Sequence, residues 1–305
     1  MSEVKGFHPP IGISAVERDT GVSKDTLRIW ERRYGFPDPA RDAHGERLYP
    51  FDQVSKLRVI RRLMDRGHRP GKIIRLSGAE LEQLTARSSP LTTLAPEQRA
   101  FIDLLRAHDV DRLRLTLTQE LMRQGIERFV IETVPLLNEA IGDSWMRGEL
   151  EIHEEHLYSQ QIENILHNAI AALPMRGTRP RVVLTSLPGE QHNIGLMMVH
   201  ALLALRGAAC IPMGTEMPIP DVVRAAAAHD AEVVALSFSA SFASSLAADC
   251  LRELRTVLPP SVGLWAGGGG VARMRRAVPG VAIVRTLGDL SVLVRDSGIT
   301  TLQAA

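Results

Sequence analysis

The clearest chemistry in this chain lies in one loop of its last third. In the run Ser186-Leu187-Pro188-Gly189-Glu190-Gln191-His192-Asn193-Ile194-Gly195, an imidazole follows a carboxylate two residues later. A neutral imidazole is the commonest transition-metal ligand, and a carboxylate on its second nitrogen fixes the tautomer. The loop lacks the Lys-Ser/Thr of a P-loop and the three-glycine Rossmann spacing, so it reads as an imidazole site and not a phosphate cradle. A second group stands earlier. Trp145, and across a turn at Gly148 the pair Glu155 and His156, offer a broad apolar ring, an acceptor and another imidazole. A third group is cationic. Lys24, Arg28, Arg32 and Arg33 fall in one short stretch and can meet phosphates or base edges.

These groups need elements to hold them. Ile13 to Asp19 has a short helical pattern, Thr20-Gly21-Val22 turns, and Ser23 can cap a second helix holding Thr26, Leu27, Ile29 and Trp30. This is helix-turn-helix grammar, in which the second helix enters the major groove. After Gly35-Phe36-Pro37, the stretch Arg41 to Tyr49 reads as a hairpin turning at His44-Gly45, a wing flanked by Arg41 and Arg47. Phe51 to Arg66 is a third helix, after which Gly67, Pro70 and Gly71 break the chain. Pro96 to His108, Arg112 to Gln124, Ile126 to Met146 and Glu151 to Leu173 read as helices of an antiparallel four-helix bundle, with breaks at Gly125 and Gly148. The hairpin of the last two would bring Trp145 near Glu155 and His156.

From Pro180 onward, strands and helices alternate. The strands are Arg181 to Thr185, Ala208 to Pro212, Glu232 to Leu236, Val262 to Ala266 and Val281 to Val284. The helices are Asn193 to Leu205, Asp221 to Ala228, Leu246 to Leu258, a short one at Met274 and a closing one from Leu287 to Asp296. Such alternation gives a parallel, flavodoxin-like (Rossmann-type) sheet whose ligands sit beyond the carboxyl ends of its strands. The fold class is multidomain, α and α/β. The expected divisions are a winged helix-turn-helix head over 1–76, a linker over 77–95, a helical bundle over 96–175 and an α/β domain over 180–305. Ala86 to Pro96 and Pro174 to Pro180 are the turn-rich stretches between them.

Composition narrows the classes. At 305 residues, 45% hydrophobic and 23% charged, the chain is globular and long enough for two or three domains. No run suggests a membrane span and the first ten residues carry no secretory signal. Cys210 and Cys250 are the only cysteines, which excludes a disulfide scaffold and a cysteine zinc site and fits a reducing cytoplasm. The net charge of +1 conceals an asymmetry. Residues 1–76 hold 16 Lys/Arg against 10 Asp/Glu, and the remainder 20 against 25. A basic head on a mildly acidic body suggests a polyanionic partner at one end.

Three resemblances follow from these residues. The ordered set of helix-turn-helix, "LRIWERRYGFP" and a basic wing ending "ERLY" resembles the MerR family of winged-helix regulators. It implies operator DNA as partner, read by Ser23, Lys24, Thr26, Arg28, Arg32, Arg33, Arg41, Arg47 and Tyr49. The Glu190-x-His192-x-x-Gly195 spacing resembles the cobalamin-binding signature, whose first position is more often aspartate. That family also carries a serine motif after its third strand and a glycine pair after its fourth, matched here by "SFSAS" (Ser237, Ser239) and "GGGG" (Gly267, Gly268). The resemblance implies His192 as the lower cobalt ligand in place of the cofactor's own base. Gly195 would let the displaced nucleotide tail pass. Finally, head, bundle and cobalamin domain in this order, with tryptophan followed after nine residues by glutamate-histidine, resemble the light-responsive cobalamin regulators of the MerR family (the CarH/LitR group). There Trp145, Glu155 and His156 would contact the upper ligand of adenosylcobalamin. The histidine that follows the tryptophan in that group is Met146 here. A thioether is a poor partner for oxidised cobalt, so His153 and His156 become candidate replacements.

The expectation is a cytoplasmic, non-enzymatic repressor. It would bind its operator as an adenosylcobalamin-stabilised homo-oligomer, a tetramer in the dark, and let go in light. A light-independent repressor or cobalamin sensor is the alternative. A cobalamin enzyme or methyl carrier fits less well, because a substrate barrel of about 250 residues has no room here. A MerR metal sensor is disfavoured because both cysteines lie in the sheet domain.

Overall fold

The computed structural model describes residues 9–65, 68–88, 95–146, 149–173, 178–272, 274, 276–290 and 293. The chain divides into two compact units, one of residues 1–99 with 140–152 and one of 100–139 with 153–305.

The first unit is built around the head. Strand β1 (Ile11–Gly12) leads into α1 (Ile13–Thr20), and α2 (Lys24–Tyr34) follows after a three-residue turn. The turn has a local cause. Gly21 adopts φ +66° as the left-handed cap of α1, which suits the residue without a Cβ. Ser23 Oγ then accepts from the Thr26 amide at 3.2 Å, capping α2. Strands β2 (Ala40–Arg41) and β3 (Arg47–Tyr49) form the wing, and β1 joins the other edge of β3, giving the antiparallel order β1-β3-β2. Helix α3 (Phe51–Asp65) carries Val54, Leu57, Ile60 and Leu63 into a core shared with Val16, Leu27, Trp30 and Tyr49.

Helix α3 ends at Asp65, residues 66–67 lie outside the described residues, and Pro70 and Gly71, read as breaks, open a new short helix. Two short helices, α4 (Pro70–Ile73) and α5 (Gly78–Ser88), fold back so that Ile73, Ile74 and Leu81 join the same core. Each such burial is worth about 1.5–3 kcal/mol. This corrects the reading of 77–95 as linker. Its first half is a helix of the head, and 89–94 lie outside the described residues. The segment 140–152 of this unit holds the second half of α8, including Trp145.

The second unit begins within α6 (Pro96–Arg106) and continues through α7 (Val110–Arg128), a π-helical turn (Phe129–Thr133), the first half of α8 (Val134–Met146) and α9 (Ile152–Ala171). Gly125, read as a helix break, departs from helical geometry with φ 78° and ψ 160° inside the α7 span. Leu105, Leu113, Leu117, Phe129, Val130, Ile162 and Leu166 are buried. The Tyr158 hydroxyl, also buried, donates to Asn138 Oδ1 at 2.7 Å.

The parallel sheet follows: β4 (Arg181–Thr185), α10 (Ile194–Leu205), β5 (Ala209–Pro212), α11 (Ile219–Ala228), β6 (Val233–Ser237), α12 (Ser244–Val257), β7 (Gly263–Gly267), α13 (Gly269–Ala272) and β8 (Ala282–Val284). The order β5-β4-β6-β7-β8 is the flavodoxin-like winding. Its strands are apolar on both faces: β6 is buried throughout and β4 all but its first residue. Helix α10 packs against α7, and Arg206 at its end donates to Glu127 Oε1 at 2.7 Å. The short helix read at Met274 is α13, which ends two residues before it. Half of the closing stretch from Leu287 to Asp296, and 174–177 before the sheet, lie outside the described residues. The winding places its switch point between β4 and β6, where the loops that follow them diverge at the carboxyl edge.

Candidate functional site

Glu190 and His192 sit in the loop after β4. Glu190 is 1% exposed, whereas the His192 side chain is 63% exposed. The carboxylate holds the imidazole from below: His192 Nδ1 lies 2.6 Å from Glu190 Oε1, and the His192 amide donates to the same oxygen at 3.0 Å. The other oxygen accepts from the Ser239 amide at 2.6 Å, in the loop after β6. One buried carboxylate therefore staples the two loops across the switch point. Burial of Glu190 works against its charge, but the bonds and charge of His192 and the Ser239 amide outweigh it and hold its pKa below the ordinary value. His192 is raised, first by its bond to Glu190, against the opposing effect of burial. With Nδ1 engaged, Nε2 is the nitrogen left for a metal.

The elements around this loop approach one another closely. Gly195 opens α10 so close to β6 that a Cβ would lie 2.6 Å from Ser237 Oγ. Ser239 Oγ is buried and has no hydrogen-bond partner, an acceptor and donor in need of company. The glycine run has a further reason. A Cβ on Gly268, at φ +94°, would lie 2.2 Å from the Phe238 carbonyl oxygen, and one on Gly270 would lie 2.7 Å from the Ser239 carbonyl oxygen. The serine loop presses on these glycines directly, whereas at Gly267 a Cβ would meet nothing nearer than 3.4 Å.

Trp145 is half-buried near the end of α8 in the first unit. The Arg58 guanidinium lies over its ring at 4.9 Å, and its indole nitrogen is buried without a hydrogen-bond partner. Met146 ends α8, and its side chain is outside the described set. In the second unit, Glu155 is tied in place, its carboxylate accepting from Ser159 Oγ at 2.8 Å and lying 2.9 Å from His156 Nδ1. His153, weighed as an upper ligand, points Nε2 at His108 instead, 3.1 Å away.

On the head, the cations of α2 stand as expected: Arg28, Arg32 and Arg33 are exposed and Lys24 is half-buried beside Glu17. Thr26 and Ser23 are spent on the cap, their hydroxyls 2.8 Å apart. Arg41 is exposed on the wing and donates to the Gly45 carbonyl at 2.8 Å. Arg47 is partly withdrawn. It donates to both oxygens of Glu31, at 2.7 and 3.3 Å, and so braces the wing against α2. Tyr49 requires a correction. It is fully buried in the head core and its hydroxyl has no partner, so it supports the wing from beneath and does not face DNA. Replacing Arg28 with alanine is expected to weaken operator binding by about 1–3 kcal/mol while cofactor binding stays unchanged, measured by DNA titration at two salt concentrations. Equal affinity would remove Arg28 from the interface.

Sequence reasoning missed three supports. Glu216, after β5, accepts from the Gly189 amide at 3.3 Å and from Gln191 Nε2 at 3.1 Å. Ser186 Oγ donates to the Glu190 carbonyl at 2.6 Å and accepts from the Glu216 amide at 3.0 Å. Asp19 holds Arg58 through two bonds, at 3.0 and 2.8 Å, with only 10% and 8% of their side chains exposed. None leaves a motif, because apart from the short bond of Ser186 to Glu190 each pairs residues distant in sequence. The cysteines point away from metal sensing: burial pushes the Cys210 thiol up to about 12 and raises Cys250 as well, keeping both neutral.

Comparison with known proteins fits this geometry. Residues 12–79 match the MerR HTH family of regulatory proteins, and residues 180–292 match the B12 binding domain. The HTH-type transcriptional repressor CarH of Myxococcus xanthus is 31% identical over 85% of this chain and 88% of its own length. The repressor CarA of the same organism is 28% identical over 81% of this chain and 83% of its own. Among solved structures, the monomethylamine corrinoid protein of Methanosarcina barkeri superposes with a TM-score of 0.52 at 18% identity, over 65% of this chain and 96% of that one, a likeness of fold alone. No helix among the described residues is long and apolar enough to cross a membrane. Both of these Myxococcus relatives are named as transcriptional repressors, and the chain belongs to the CarH-type family of MerR-headed regulators with a B12-binding domain.

Proposed function

We propose that this chain is an adenosylcobalamin-dependent, light-responsive repressor. The observation that carries the reading is the imidazole of His192, oriented through Nδ1 by a buried carboxylate at the switch point of a corrinoid-binding fold. Adenosylcobalamin, when bound, supplies a cobalt–carbon bond that light cleaves. His192 would be the residue that holds the cofactor through a ring nitrogen. Gly195, Ser237 and Ser239 would receive its tail, with Gly267 and Gly268 beside it. Trp145, and separately Glu155 and His156, would be the candidates to meet its upper ligand. In the dark the loaded chain assembles, as a homotetramer, and several heads grip operator DNA together. Linkage requires that the assembled form bind the cofactor more tightly than the dissociated form. Joining heads raises their effective concentration on DNA, so disassembly lowers affinity steeply.

Met146 favours a second reading, a cobalamin sensor that does not respond to light, since a thioether is ill suited to the upper site of oxidised cobalt. Size-exclusion chromatography with adenosylcobalamin, in the dark and after illumination, with the spectrum recorded on the peak, separates the readings. The photoreceptor predicts a bound oligomer that shrinks in light. Bound cobalamin with no change in size supports the sensor, and no bound cobalamin rejects both.

A further inference from the structure

The geometry points to a second metal site, for a zinc-class divalent cation, formed by His108, His153 and Glu154. The three donor atoms lie within 4.8 Å of one another. His108 Nε2 stands 3.1 Å from His153 Nε2 and 3.5 Å from Glu154 Oε1. A tetrahedral zinc ion with bonds of about 2.0–2.2 Å keeps its ligand atoms roughly 3.3–3.6 Å apart. The observed separations are near this before any ion has drawn the side chains together. The donor set is right in kind too. Two neutral imidazoles and one carboxylate are borderline ligands that suit zinc and its neighbours, not the oxygen cages of calcium or magnesium. A single carboxylate also leaves a dipositive ion only partly neutralised, so water can fill the fourth position.

Without an ion the arrangement is awkward. The two rings are nearly parallel, 3° apart, and present the same nitrogen to each other. Two neutral imidazoles in this pose form a single hydrogen bond and only as opposite tautomers. His108 reaches the pose from a left-handed backbone, φ +55°, in the turn between α6 and α7. Both imidazoles are exposed and Glu154 is buried, so an ion has an open approach and a fixed inner ligand. The bound ion would tie that turn to the first turn of α9, directly ahead of Glu155 and His156. Apart from His153, weighed only as a replacement for Met146, the site uses no residue named for cobalamin, and it stands whether or not that assignment does.

The test uses the full-length chain, stripped with a chelator and given no cobalamin. Zn²⁺ alone is titrated by calorimetry and against a competing chromophoric chelator. One equivalent is expected. Its affinity should fall at least tenfold in His108→Ala, in His153→Ala and in Glu154→Gln, and persist in His192→Ala. Zn²⁺ should also raise the melting temperature of the wild type but not of His108→Ala. Because Glu154 is buried, the two exposed histidines are the decisive variants, with far-UV circular dichroism as the fold control. Absence of binding, unchanged affinity in both histidine variants, or binding lost in His192→Ala alone would overturn the site.

Discussion

Replacing His192 with alanine is expected to weaken cobalamin binding by at least about 100-fold and to change the absorbance spectrum of whatever cofactor remains, because His192 is the nitrogen ligand proposed for the cobalt. Glu190→Gln should fall in between, at about 10–100-fold, the ordinary cost of losing the group that orients a metal-bound histidine. The two variants separate ligation from positioning. His192 is largely exposed, so its truncation leaves the fold intact. Glu190 also bonds the Ser239 amide, so its variant should loosen the serine loop even without cofactor. An unchanged spectrum in His192→Ala would reject it as the cobalt ligand. Equal losses in both variants at unchanged stability would mean that the imidazole ligates only while clamped.

The second large effect is in the head. Arg58→Met is expected to cost about 3–5 kcal/mol of stability, because it leaves Asp19 buried and unpaired. The double variant Asp19→Asn with Arg58→Met should recover part of that loss, since the uncompensated charge goes with its partner. Denaturant unfolding of the full chain, followed by tryptophan fluorescence, reads both. Arg58 also lies over the rings of Trp145 and Phe51, at 4.9 and 5.5 Å, so its loss removes two cation–π contacts beyond the ion pair. A loss below about 1 kcal/mol would class the pair with surface ion pairs.

What was legible depended on whether the signal was local. The sheet could be read strand by strand because short apolar runs alternate with helical ones, and the expected strand ends fall within a residue or two of those found. The turn at Gly21 and the cap at Ser23 were equally plain, each resting on neighbours in sequence. Helix α5 was overlooked although its start carries a capping box: Glu80 Oε2 accepts from the Ser77 amide at 2.7 Å, and the Glu80 amide donates back to Ser77 Oγ at 3.3 Å. Ser77-x-x-Glu80 was there to be read. Tyr49 was misplaced for a different reason. Residues two apart on a strand share a face. Once Arg47 turns to Glu31 on α2, Tyr49 must turn inward with it toward the core that holds Leu27 and Trp30. In the site itself, Glu190 and His192 were legible as a pair. The clamp from Glu190 to Ser239 spans 49 residues and only the folded sheet reveals it.

The overlay of Arg58 on Trp145 has a consequence for the direction in which information can run. Arg58 belongs to α3 of the head and lies over Trp145, which is proposed to meet the upper ligand of the cofactor. If a bound cofactor displaces or steadies the indole, the guanidinium that lies over it must feel the change. Reciprocity then requires that whatever steadies the head act back on the indole by the same factor. Operator DNA would thus be an effector of cofactor affinity as much as the cofactor is of operator affinity. A promoter fragment added to the dark protein should change how tightly adenosylcobalamin is retained, and Arg58→Met should erase that change.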